Sequence, residues 1–205
     1  MKYLSFFILL FIGELSVNAQ HMFSRQFPFF NQLSSNEIFS IHQDREGYFW
    51  IGTTNGLARY DGYQLNTFRT DYKNQNLLTD NGITAINDND LYVWIGTWKG
   101  LNLYNKQTCQ ITPFSDVRLL DKVVDAITVD KDGNVWVSAG GMIYRCDSTA
   151  HIIKEYEVGN IQEGYAISNI YVDQQKQLWA VGSRGIFRYE PETDSFFRYP
   201  PLGNG

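Results

Sequence analysis

The chain has 205 residues, 16% of them aromatic, with 17 glycines and a formal net charge of −5. That acidic balance argues against a nucleic-acid partner, because phosphate binding needs basic patches. The aromatic content and frequent glycine suit many short strands joined by tight turns better than helices.

Taken in chain order, the first element is a targeting segment. Lys2 supplies a positive n-region, Tyr3 to Ile12 an apolar h-region, and Val17-Asn18-Ala19 a small-residue cleavage site. Residues 1–19 are therefore expected to be a signal peptide cut after Ala19, leaving a periplasmic mature chain of residues 20–205. The apolar run is shorter than the roughly 20 residues a spanning helix needs. No second apolar run follows, so no membrane span is expected in the mature chain. No cysteine follows the h-region, which argues against a lipoprotein anchor.

From there a repeat governs the chain. Trp50, Trp94, Trp136 and Trp179 are spaced by 44, 42 and 43 residues. Each follows an aspartate by six residues (Asp44, Asp88, Asp130, Asp173), and ten residues further on stand Tyr60, Tyr104, Cys146 and Tyr189. A period in the low forties with an aromatic signature means one small sheet per repeat, stacked around an axis as propeller blades. The fold class expected is thus all-β, with about four four-stranded antiparallel blades.

The third repeat reads most clearly. Val123 to Val129 is an apolar inner strand, Asp130-Lys131-Asp132-Gly133-Asn134 a tight turn, Val135 to Ser138 a second strand, Met142 to Cys146 a third, and His151 to Tyr156 an outer strand. The first and fourth repeats follow this plan. The second is less regular, and a one-residue shift is expected in the turn around Asp88. The repeated tryptophans and tyrosines are expected to fill the wedge between neighbouring sheets, and the repeated aspartates to bond main-chain amides in their turns. Cys146 sits in the slot held elsewhere by tyrosine and reads as a small buried apolar residue. Cys109 lies in a connection, and no disulfide is expected.

Phe23 to Phe30 resembles an outer strand, and so does Ser195 to Tyr199. Four sets of inner strands with about five outer ones predict an open arc of blades; a closed four-bladed ring is the alternative.

At this point Asp44 to Gly62, with its lead-in Leu33-Ser34-Ser35-Asn36-Glu37-Ile38, resembles the two-component regulator propeller repeat. Trp94-Ile95-Gly96-Thr97 with Gly100 to Tyr104, and Gly185-Ile186-Phe187-Arg188-Tyr189, repeat the pattern. The third repeat departs from it at Met142 and Cys146. The resemblance implies the extracytoplasmic sensor part of hybrid two-component histidine kinases of Bacteroidetes, which respond to polysaccharide breakdown products. It also implies that kinase activity resides in other domains. The three histidines, His21, His42 and His151, lie outside any helical dimerisation context, and no glycine-rich ATP loop is present. The chain is accordingly expected to be a truncated sensor, with the rest of a sensor or a homologous sensor chain as partner. The alternative is a non-signalling scaffold or remnant.

Catalysis finds no motif. There is no nucleophile elbow, His–Glu metal motif or paired-carboxylate signature. Asp130 to Asn134 echoes a calcium loop but lacks the downstream bidentate glutamate, so it reads as a turn, and neither metal nor cofactor is expected. Ligand-binding residues are sought where the repeat breaks on a loop. The turns between second and third strands reach one rim and read Thr54-Asn55, Trp98-Lys99, Gly140-Gly141 and Ser183-Arg184. Trp98 is the one tryptophan outside the ladder. With Lys99, Asn55 and Arg184 it forms the candidate site, by stacking on a sugar ring and pairing with acidic groups of an oligosaccharide. The alternative for Trp98 is packing against a neighbouring loop.

Overall fold

The computed structural model describes residues 27–70, 77–158, 167–183 and 185–199. The expected signal peptide therefore lies outside the described residues. The described chain forms four four-stranded antiparallel sheets, each an uninterrupted meander. The first blade comprises β1 (Ile38–Gln43), β2 (Phe49–Thr53), β3 (Gly56–Tyr60) and β4 (Leu65–Phe68). The second comprises β5 (Ile83–Asp88), β6 (Tyr92–Thr97), β7 (Gly100–Asn105) and β8 (Gln110–Pro113). The third holds β9 (Val124–Val129), β10 (Val135–Ala139), β11 (Met142–Cys146) and β12 (Ile152–Glu157). The fourth holds β13 (Ile167–Val172), β14 (Leu178–Gly182), β15 (Gly185–Glu190) and β16 (Ser195–Arg198).

One expected strand is not formed among the described residues. Phe27 to Gln32 forms a turn and a single 3-10 turn, where an outer strand was expected over Phe23 to Phe30; residues 23–26 lie outside the described residues. The cause is local pairing: Phe30 N–H donates to Phe27 O, and Gln32 N–H to Phe29 O. Phe27 and Phe29 instead pack on Tyr60 at ring separations of 5.0 and 5.3 Å. Among the described residues there is therefore no surplus of outer strands, and the openness of the arc rests on burial.

Register makes that burial argument. Ile41, Ile86, Ile127 and Ile170 occupy one slot, each facing the second strand of its own blade. Their exposures are 63, 6, 7 and 3%. On the other face, Leu57, Leu101, Ile143 and Ile186 share a slot, with exposures of 0, 2, 0 and 46%. Each isoleucine is thus core where a preceding blade covers it, and each β3-type residue is core where a following blade covers it. The first blade lacks the one neighbour and the fourth lacks the other, so the four blades form an arc that is not closed.

The ladder of repeated side chains accounts for the junctions. Trp50, Trp94 and Trp136 are buried, while Trp179 on the uncovered last face is partly exposed. Tyr104 meets Trp50 edge-on at 4.8 Å, and Tyr189 meets Trp136 at 4.9 Å, each tyrosine reaching the tryptophan of the blade before it. Gly52 is required at the first junction, because a Cβ there would stand 2.7 Å from the Ile83 side chain. Gly96 has the same role, with Val124 at 2.6 Å. Cys146 is buried, its thiol pushed up to about 12 by that burial, and Cys109 is exposed; both are free.

The aspartates do more than hold their turns. Asp44 accepts from the amides of Glu46 and Tyr48 and also from Trp50 Nε1. Asp130 and Asp173 latch Trp136 and Trp179 in the same way. In the second blade Asn89 takes over the turn, accepting from the amides of Leu91 and Tyr92, which is the one-residue shift expected there. Asp130 to Asn134 is a turn, as read, with Asp130 Oδ1 accepting from the amides of Asp132 and Asn134.

Candidate functional site

The turns between second and third strands all reach the rim where the inner strands begin, because Ile38 pairs with Thr53 and Ile83 with Thr97. Threonine shapes two of these turns. Thr53 Oγ1 donates to Gly56 O at 2.9 Å and accepts from Asn55 N–H at 3.1 Å. Thr97 repeats both bonds with Gly100 O and Lys99 N–H. Gly56 and Gly100 then take φ of 129° and 121°, a region closed to most side chains. Such a turn points its two middle residues outward: Thr54-Asn55 in the first blade, Trp98-Lys99 in the second.

The segment leading into the second blade floors the space between them. Buried Asn102 pins it: Nδ2 donates to Leu77 O, and Oδ1 accepts from Thr79 N–H and Thr79 Oγ1. The result is a rim groove of about 550 Å³ lined by Thr54, Asn55, Thr70, Thr79, Asp80, Asn81, Trp98 and Lys99, with Leu78 beneath.

Trp98 stands between this groove and a second space on the axis. Its ring rests on Gly82, where a Cβ would come within 2.3 Å of it, and lies 6.2 Å from Phe39. It remains 43% exposed, so it packs and presents a face at once. The axial cavity, about 250 Å³, is lined by Phe39, Thr84, Trp98, Val123, Asp125 and Ser168. Phe39, Thr84, Asp125 and Ser168 each stand one residue into their inner strand, so every blade contributes an inner-strand side chain.

The structure thus brings Trp98, Lys99 and Asn55 to one groove, whereas Arg184 lies outside the described residues. Asn55 is already engaged at both ends, donating to Ser34 O and accepting from Arg69. Lys99 is exposed, its Nζ 3.8 Å from Asp80 Oδ2. Asp80, Thr79 and Asn81 escaped the sequence reading because they lie before the repeat proper. The axial ring escaped it because its members lie in strands, not on loops. Its signal was visible as the position after Ile38, Ile83, Val124 and Ile167, where Phe, Thr, Asp and Ser alternate beside a constant branched neighbour.

Residues 32–55, which span the lead-in and the first two strands, match the family model described as two component regulator propeller. No curated protein matches this chain. Among solved structures, the extracellular domain of BT3049 from B. thetaiotaomicron, described as a hybrid two component system, aligns with a TM-score of 0.65 at 22% identity, over 84% of this chain and 24% of its own. The extracellular domain of BT4673 from the same organism, described as a one component system, gives 0.62 at 21%, over 83% and 22%. Virginiamycin B lyase from Staphylococcus aureus gives 0.65 at 18%, over 82% and 57%. These likenesses show the propeller fold, and this chain spans less than a quarter of the two extracellular domains. Among the described residues, no helix is long and apolar enough to cross a membrane.

Proposed function

We propose that the chain is the extracytoplasmic, ligand-binding part of a two-component sensor, and that the rim groove receives a glycan fragment. The observation that carries this reading is the convergence of Trp98 and Lys99 with a floor of hydroxyl, amide and carboxylate groups, facing Thr54 and Asn55 at the end of the segment that the two component regulator propeller model matches. A half-exposed indole offers a flat apolar face to a sugar ring, and the surrounding groups offer donors and acceptors to its hydroxyls. Lys99, held only loosely by Asp80, suits an acidic sugar.

The reading assigns no catalysis to this chain. The axial cavity holds a single carboxylate, Asp125, so the convergent acid–base pair of a propeller enzyme has no counterpart among its lining residues. Kinase chemistry is assigned to a partner domain: His42 lies in a strand and is bonded to Asp88, and His151 lies on an exposed turn.

The test is calorimetric titration of the full chain with neutral and uronic-acid oligosaccharides, beside Trp98→Ala and Lys99→Ala. At least one class should bind, Trp98→Ala should weaken it about tenfold or more, and Lys99→Ala should weaken acidic sugars selectively. Binding insensitive to both substitutions would remove the groove from the proposal.

A further inference from the structure

The axial cavity has a chemistry distinct from the groove. Apart from the Trp98 indole, its polar side chains present acceptors. Thr84 Oγ1 donates its proton to Val124 O, and Ser168 Oγ donates to Val181 O at 3.2 Å, which leaves both oxygens with lone pairs alone. Asp125 has no hydrogen-bond or ion-pair partner among the described residues. Although solvent reaches it, partial desolvation raises its pKa above the ordinary carboxylate value, as expected of a charge with no counter-ion beside it. The remaining lining is Val123 and the rings of Phe39 and Trp98.

A space lined by two aromatic rings, a carboxylate and two hydroxyl acceptors selects against anions. It favours a cation that brings its own donors, because the ring faces attract positive charge and the carboxylate neutralises it. Among the described residues no cation pairs with Asp125: Lys122 donates to Tyr144 Oη at 2.7 Å, and Lys99 lies on the groove side, 3.8 Å from Asp80. We infer that the axial cavity is a binding site for an organic ammonium group, with Asp125 as its counter-ion and Phe39 and Trp98 as its walls. The site stands independently of the glycan groove, although Trp98 borders both. An amino sugar and a simple alkylamine share this chemistry, so the experiment separates them.

The full chain is titrated by calorimetry with glucosamine, N-acetylglucosamine and putrescine at matched ionic strength, at pH 7. Glucosamine or putrescine should bind, acetylation of the amine should abolish binding, and Asp125→Asn should weaken it at least tenfold. Glucosamine alone would mark an amino-sugar site, and binding of both an amine site without sugar selection. Phe39→Leu, which keeps an apolar wall and removes the ring, should weaken binding to a smaller extent. Asp125 is exposed and asparagine has the same shape, so the variant should unfold at the same urea concentration as the parent. Amine binding unchanged in Asp125→Asn, equal binding of N-acetylglucosamine, or no amine binding at all would each overturn the inference. Asn81→Ala, confined to the groove, should leave the amine titration unchanged while weakening oligosaccharides, so the two readings fail separately.

Discussion

Two junctions with the same burial are built from different bonds. Between the third and fourth blades, Trp136 is tied on every side: its Nε1 donates to Asp130 at 2.8 Å, Tyr189 meets its ring, and Arg145 lies over it. Between the second and third blades, Trp94 is as deeply buried, yet its Nε1 has no hydrogen-bond partner. The slot that supplies Tyr104 and Tyr189 at the other junctions holds Cys146 here, in the same core cluster as Trp94. The difference traces to the turn before Trp94. Asn89 performs the turn's bonding, so Asp88 ends β5 and points to the first blade instead. There it accepts from His42 Nε2 at 2.8 Å and from Arg45 N–H at 3.3 Å, while Lys106 Nζ of its own blade donates to it at 2.7 Å. The second blade has lost a bond within itself and gained a clamp across the junction with the first. The repeat thus specifies which side chain is buried, while the bond that side chain makes depends on one turn residue.

The largest expected effect is loss of the better-tied ring. Trp136→Ala should destabilise by about 3–5 kcal/mol, from lost burial and the cavity left behind. Trp94→Ala removes a ring with fewer bonds and should fall nearer the lower end. Urea unfolding of both variants measures this, and equal losses would mean that burial alone sets the cost.

The clamp at Asp88 should appear as acid sensitivity. Burial alone would raise the pKa of Asp88, but the bonds from His42 and Lys106 outweigh it and hold the carboxyl at about 2, against 3.8 ordinarily. A folded-state value below the unfolded one stabilises above pH 4, and the contribution is lost as pH falls from about 4 toward 2. It amounts to ~2 kcal/mol. Asp88→Asn lacks it, so the stability gap between parent and variant should narrow across that window. A gap that stays constant from pH 6 to pH 2.5 would show that the clamp contributes nothing.

The blades were legible because their signal is periodic. Trp50, Trp94, Trp136 and Trp179 recur with turn residues at fixed offsets, and a sheet that cannot bury both faces alone needs such a wedge. The shifted turn at Asp88 was legible too, as a misplaced apolar pattern. Where the freed carboxylate goes was not, since His42 is 46 residues away and the pairing depends on how two blades pack. Phe27 to Phe30 misled because alternating aromatics resemble a strand, and nothing local reveals that Tyr60 offers them a ring to pack on. Trp98 stood out as the tryptophan off the ladder. Asp125 did not, because an acidic residue one place into an inner strand becomes an axial group only once four strands converge.

The smallest effect is the sharpest test of the comparison. Trp→Phe keeps an aromatic ring and removes only the indole N–H and part of the ring area. At Trp136 that N–H has an acceptor, and its loss removes one charge-assisted bond to the half-buried Asp130 carboxylate, which keeps Asn134 Nδ2 as a donor. At Trp94 the N–H is buried without an acceptor, so removing it relieves a desolvation cost. Trp136→Phe should therefore be more destabilising than Trp94→Phe by about 1–2 kcal/mol, read from urea midpoints with unchanged slopes. Equal costs would mean that a water satisfies Trp94, and that the two junctions differ in partner but not in energy.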